Sequence, residues 1–426
     1  MNISKTAQVL LFVALIAFPV AIPFLPHVNG LIIVLLSLAG FYLLSRRDPV
    51  ISNPDKSERQ LYTAIGVFLL SVAMVALFAD GKPFAETSIG KFIYFALIIP
   101  VYFCAKKLGI NRAALWSGLA AGALVSAVVA IYDVAGPYHM ERAMGINHPI
   151  IFGDLALLMG VMAMGGLTWF RKQSRWHVLI PVLALVAGLL ASFLSQSRGG
   201  WVALPVLALL FVWHFGVHVA RWKILAGMAL LLVFVTGIYF VPQSGVRNTI
   251  NTTIMHVDNY VNSDVSAPDR ATSIGSRFEM WRASWILFIE HPVLGVGWGK
   301  YQEETQTLVN RGLINQAAAD YPHPHNQFLS SLVNGGMAGL VGILVLFIIM
   351  FLIFLRVIKN GAEETSDKSH IAFTGLLLVV SFFIFNLSES LMERSRTVAF
   401  MVYYVAILLA CITAKGVGNK RAPAHE

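Results

Sequence analysis

Twelve apolar runs follow one another along this sequence, at about 7–25, 28–45, 61–79, 90–105, 113–133, 149–170, 176–194, 201–220, 224–241, 327–355, 370–387 and 397–414. A helix needs about 20 apolar residues to cross the hydrocarbon core of a bilayer. Inside lipid a backbone must satisfy its own hydrogen bonds, which leaves helices or closed barrels. The expected fold class is therefore an all-α polytopic membrane protein with about twelve transmembrane helices. Composition agrees: 57% of the 426 residues are hydrophobic and 12% are charged, where soluble domains carry about 25% charged residues. That excludes an ordinary cytoplasmic enzyme, and also a disordered chain, which lacks apolar residues.

The net charge of +9 would suggest nucleic acid in a soluble protein. Here the charges gather at the ends of apolar runs, and no folded basic domain is left to hold DNA or RNA. Cys104 and Cys411, the only cysteines, each sit near the end of a run and suggest neither a metal site nor a disulfide framework. The first run, after Lys5, is read as an uncleaved span rather than a signal peptide. With the N-terminus inside, 19 of the 31 Lys and Arg residues fall on the inner side and 12 outside, while 7 acidic residues fall inside and 15 outside. The positive-inside rule then predicts both termini in the cytoplasm.

Residues 242–326 break the rhythm. This stretch is polar, is expected on the outer side, and is far longer than the usual 2–8-residue helix connection. The expected organisation is residues 1–241 with nine helices, 242–326 as a large outer loop, and 327–426 with the last three helices and a cytoplasmic tail. Within the loop, Phe278, Trp281, Trp285 and Phe288 recur at helical spacing, with Glu279, Arg282 and Glu290 elsewhere on the wheel. This predicts an amphipathic helix at the membrane interface. His291-Pro292 should stop it, and Gly295, Gly297 and Gly299 should form a loop.

Several polar residues on the outer side have chemical potential. His325 stands where the chain enters the tenth run, followed by Asn326, nine residues, and Gly336-x-x-Gly339. The glycines would let a neighbouring helix approach closely. A His there is suited to act as a base, or is simply the start of a helix in a Pro-rich turn. Arg198, in SQSRGGW, suits a phosphate or pyrophosphate, which a guanidinium grips with two parallel bonds; an Arg anchoring a span would look the same. Arg277 begins the amphipathic helix, near helix-end N–H groups that attract anions, or else faces solvent. Lys82 and Arg142 lie in two further outer loops. Together they would form a local basic cluster selective for an anionic substrate. His323 and His325 lack a clear carboxylate partner, so no metal is expected. Glu389 and Glu393, near Arg394 and Arg396, form a solvated salt-bridge cluster, or one of them orients His325 or binds sugar.

The spacing His325-Asn326, nine residues, Gly336-x-x-Gly339 resembles the signature of bacterial O-antigen ligases. These belong to a wider family with O-antigen polymerases and protein O-oligosaccharyltransferases. Arg198 in SRGG, Arg277 at the start of the large loop, and Arg142, Gly145 and Pro149 also resemble its pattern. The resemblance implies a GT-C-like fold with one large periplasmic loop, in the bacterial inner membrane, with its active site facing the periplasm. It implies an inverting glycosyltransferase that needs no nucleotide, metal or other cofactor. The donor would be O-antigen polysaccharide on undecaprenyl pyrophosphate, and the acceptor a sugar hydroxyl of lipid A–core. His325, Arg198 and Arg277 would be catalytic, and Lys82, Arg142, Asn326 and Glu389 would bind substrate. Membrane lipid is the only other partner implied. A polymerase of the family tends to have two sizeable periplasmic loops, and a protein glycosyltransferase an extra C-terminal region. A transporter would show repeats and midplane charges, which these spans lack.

Overall fold

The computed structural model describes residues 3–45, 54–79, 89–216, 267–360 and 367–413, with short stretches between 236 and 265. Lys82, most of the ninth apolar run and the basic tail lie outside the described residues. The described runs are helical, as chains that must bond to themselves in lipid require, and no strand occurs among the described residues. In chain order the helices are α1 (Ile3–Ala21), α2 (Val28–Ser45), α3 (Lys56–Phe78), α4 (Ile89–Ile93), α5 (Ile98–Leu108), α6 (Arg112–Ala135), α7 (Pro149–Met164) and α8 (Leu167–Gln173). There follow α9 (Leu179–Leu194), α10 (Arg198–Trp201), α11 (Ala203–Phe215), α12 (Ser273–Glu290), α13 (Tyr301–Asn310), α14 (Gln327–Asn360), α15 (Asp367–Phe385) and α16 (Ser395–Thr413).

Among the described residues eight helices are long and apolar enough to cross a membrane, or nine if α7 and α8, bent by 51°, count as one. This is a polytopic helical architecture. Helices α15 and α16 form its centre and are buried along almost their whole length. Around them α14 packs on α3, α7 on α9, and α6 on α1 and α9. Ala156, Gly160, Ala184 and Gly188 bring α7 and α9 together, the small-residue contact that lets helix backbones meet in lipid. At one end of the bundle Lys106 pairs with buried Glu58, which also accepts a hydrogen bond from Tyr102. Residues 142, 198, 277 and 325 gather at the opposite end.

The expected helix over the loop aromatics is α12, and it stops at His291 as the sequence predicts. Its packing face differs from the expected one. Met280, Ala283 and Leu287 are buried together with Glu279, while Trp285 is 56% exposed. Glu279 is an internal anchor: it accepts from Tyr260 Oη at 2.7 Å, Arg270 Nη1 at 2.8 Å and the Asn315 N–H at 2.7 Å. The glycine motif also works differently from a close helix contact. Gly336 has φ 57° and ψ −154° and interrupts α14. The backbone groups released there are taken up by the loop after α12. Val296 N–H donates to Val333 O at 2.9 Å and Gly297 N–H to Asn334 O at 3.1 Å, while Met337 and Ala338 N–H donate to Pro292 O and Val293 O. The break therefore binds the loop segment to the head of α14.

Candidate active site

His325 is held at the head of α14 with φ 48°, a left-handed conformation that is uncommon for a residue with a side chain. Two neighbours fix the turn. Asn326 caps α14, its Oδ1 accepting from the Phe328 and Leu329 N–H groups at 3.0 and 3.1 Å, while its Nδ2 donates to Leu387 O at 3.1 Å. One amide hydrogen of Asn326 remains for a ligand. Trp281 Nε1 donates to Pro324 O at 3.1 Å, which ties the turn to α12.

Of the two acids read as candidates to orient His325, Glu389 is the one that meets it. Its Oε2 lies 3.0 Å from His325 Nδ1, and its Oε1 lies 3.9 Å from His323 Nε2. Glu389 is 1% exposed and the His325 side chain 18%. Burial by itself would raise the Glu389 carboxyl. The His325 hydrogen bond, the charges of His325 and His323 and the Ser390 N–H outweigh it and hold the group at about 2. An ionised carboxylate at Nδ1 favours the tautomer with the proton on that nitrogen, leaving Nε2 free to accept one. Burial lowers His323 to about 4, so it is neutral at neutral pH. The expectation that the His pair lacks a carboxylate is thus corrected: His323, His325 and Glu389 bring ligand atoms within 4.8 Å of one another.

The arginines converge beside this pair. Arg277, one turn before Trp281 on α12, donates from Nη1 to Ser388 O at 3.2 Å. The Arg198 turn packs on the same residue, since a side chain at Gly199 would overlap Ser388 Oγ. Ser197 Oγ donates to the buried Asp154 carboxylate of α7 at 2.6 Å, which anchors that turn. Arg142 donates from Nε to Ser195 O at 3.0 Å and from Nη2 to Gln196 O at 3.4 Å. The Arg142 loop is itself held by Asp133, which accepts from Met144 and Gly145 N–H at 2.9 and 2.7 Å. Burial and the charge of Arg198 both lower Arg142. Two guanidinium groups thus stand near each other, and Arg198 is exposed with no hydrogen bond or ion pair to another described residue. Such an arrangement attracts a multiply charged anion.

Glu389 and Glu393 do not form the solvated salt-bridge cluster expected with Arg394 and Arg396. Glu389 is committed to His325, Glu393 accepts from Ser330 Oγ, and Arg396 Nη1 donates to Ile146 O and Asn147 Oδ1. His148, not singled out in the sequence, is lowered by burial and feels Glu389, Arg394, Arg142 and His325. Its position before Pro149 carries no sequence signal of its own.

Residues 183–344 match a family model described as O-antigen ligase. The match spans Arg198, Arg277, His325 and the Gly336-x-x-Gly339 motif. Two relatives have similar sequences over most of their length. An uncharacterised protein of Haemophilus influenzae is 24% identical over 319 residues, covering 73% of this chain and 76% of that protein. An O-antigen ligase of Salmonella typhimurium is 23% identical over 386 residues, covering 85% of this chain and 86% of that protein. The resemblance read from the histidine and arginine motifs is borne out.

Proposed function

We propose that this protein is an inverting glycosyltransferase that moves O-antigen polysaccharide from undecaprenyl pyrophosphate to a sugar hydroxyl of lipid A–core, on the periplasmic side of the bacterial inner membrane. The observation that carries the reading is the 3.0 Å His325–Glu389 pair next to the arginine group around Ser388.

In one displacement the acceptor oxygen forms a bond to the anomeric carbon of the donor. The bond from that carbon to the pyrophosphate oxygen breaks, and undecaprenyl pyrophosphate leaves with the electron pair. His325 Nε2 takes the hydroxyl proton, and Glu389 stabilises the imidazolium through Nδ1 and keeps the ring oriented. Arg198, Arg277 and Arg142 hold the pyrophosphate as its charge grows, with Lys82 as a further cation from its outer loop. Asn326 positions His325 and offers its remaining amide hydrogen to substrate. Attack from the face opposite the leaving group inverts the anomeric centre. The chain's own cations supply the charge stabilisation, so no cofactor is required by this scheme.

Lipopolysaccharide banding from cells lacking the protein tests the reading. Loss of a ligase leaves lipid-linked polymer unattached to core, which is the expected pattern. Core carrying a single repeat would instead identify a polymerase, and unchanged lipopolysaccharide with altered glycoproteins a protein O-oligosaccharyltransferase.

A further inference from the structure

A cavity of about 570 Å³ opens beside the active site without containing His325. Its volume is within the usual range for a small-molecule site, roughly 300–1,000 Å³. Lys91, Arg394 and Arg396 line it, opposed by Glu393, with His148 in the wall. Among the described residues neither the Lys91 nor the Arg394 side chain has a hydrogen bond or ion pair, and Arg394 Nε is buried without a partner. A buried guanidinium nitrogen left unsatisfied is costly, and an anionic ligand would supply its acceptor. Burial raises the Glu393 carboxyl, while its Ser330 hydrogen bond and the charges of Lys91 and Arg394 act the other way.

The cavity is joined to the active site through three elements. His148 stands in the cavity wall and is within electrostatic reach of Arg142, Glu389 and His325. The short connection between α15 and α16 carries Glu389 toward His325, and carries Glu393 and Arg394 to the cavity. Glu393 is also bonded to Ser330, just over one helical turn beyond His325 on α14.

We propose that this cavity is a second anion site, which receives a phosphate group of the acceptor glycolipid and so directs the accepting hydroxyl toward His325. The proposal rests on the transfer reaction described above. Two anion sites flanking one base give the donor and acceptor separate handles, and orientation of that kind lowers the barrier by holding both reactants in place.

The test uses purified full-length protein in phosphatidylcholine nanodiscs, with lipid A–core either phosphorylated or enzymatically dephosphorylated. Lys91→Gln and Arg394→Gln are each expected to raise the acceptor KM about tenfold, the value of one charge-assisted hydrogen bond, with the donor KM unchanged. Dephosphorylated acceptor should show the high KM with wild-type protein and no further rise with either variant, as residues sharing one interaction require. A raised donor KM would assign the cavity to the donor and overturn the proposal. Equal losses on both acceptors would also overturn it. A variant effect seen only when phosphatidylglycerol is added would assign the cavity to a lipid headgroup. Direct binding of the two acceptors is read in parallel. Phosphate-dependent binding that needs Lys91, without transfer by wild-type protein, would uphold the site and reject the transferase reading alone.

Discussion

Glu389 is the more deeply buried member of the His325 pair, and its carboxyl is held at about 2. Its ordinary value is 4.5, so between pH 4.5 and 2 the unfolded chain binds a proton that the folded chain refuses. His323 behaves alike at higher pH: its ordinary value of 6.5 falls to about 4, so the unfolded chain is again the more protonated. Stability therefore declines as pH falls, first through the His323 window and then through the Glu389 window. Melting temperatures in detergent should drop from pH 7 to pH 4, and His323→Gln should flatten that slope. An unchanged slope in the variant would remove His323 from the account. At Arg198 and Arg277, replacement by Lys should lower transfer roughly 10–100-fold, the worth of one charge-assisted hydrogen bond, because an ammonium lacks the planar fork. Full activity from both Lys variants would reduce the site to a simple charge effect. His325 and the arginines were legible because they lie in local motifs. The long-range pairings were less so: which of Glu389 and Glu393 meets His325, 64 residues from Glu389, and that Asp154 anchors Ser197 from 43 residues away. Spacing carries no trace of such pairings.

Helix α14 shows how one residue can organise an element. Gly336 lies in a backbone region that is essentially closed to other residues, and a Cβ there would strike the Val293 carbonyl. Gly336→Ala should cost at least about 1–3 kcal/mol in backbone strain and release the segment that follows α12, with loss of transfer. Gly66→Ala, where a Cβ meets nothing within 4 Å, is the control and should melt at or above the wild-type temperature. If both variants behave alike, the break does not hold the loop. The sequence showed that these glycines matter, but suggested a helix contact. It could not show that the groups freed by the break bond to residues 292–297, because backbone pairing leaves no side-chain pattern. For α12 the period was readable and the packing face was not. Glu279 looks like a solvent-facing acid until Arg270, Tyr260 and Asn315 are seen around it.

At the scale of the whole molecule, the apolar runs alone were sufficient to read a polytopic helical architecture, since lipid leaves a backbone few alternatives. How the helices surround α15 and α16 was not readable, because lipid-facing and buried positions are equally apolar. Orientation is a separate expectation, resting on the 19-to-12 distribution of Lys and Arg. A reporter fused near Val265 should give a periplasmic signal, and one at the C-terminus a cytoplasmic signal. A cytoplasmic signal near Val265 would put the site on the wrong face for a periplasmic donor. The central claim is that His325 accepts the acceptor proton while cations hold the donor. Its most direct test is transfer by purified protein, in chelator, comparing wild type with His325→Ala and His325→Gln and measuring donor binding alongside. Transfer should persist for wild type and fall about 10²–10⁴-fold in both variants, with donor binding retained. Wild-type rates from either variant, or wild-type transfer that needs an added divalent ion, would contradict it.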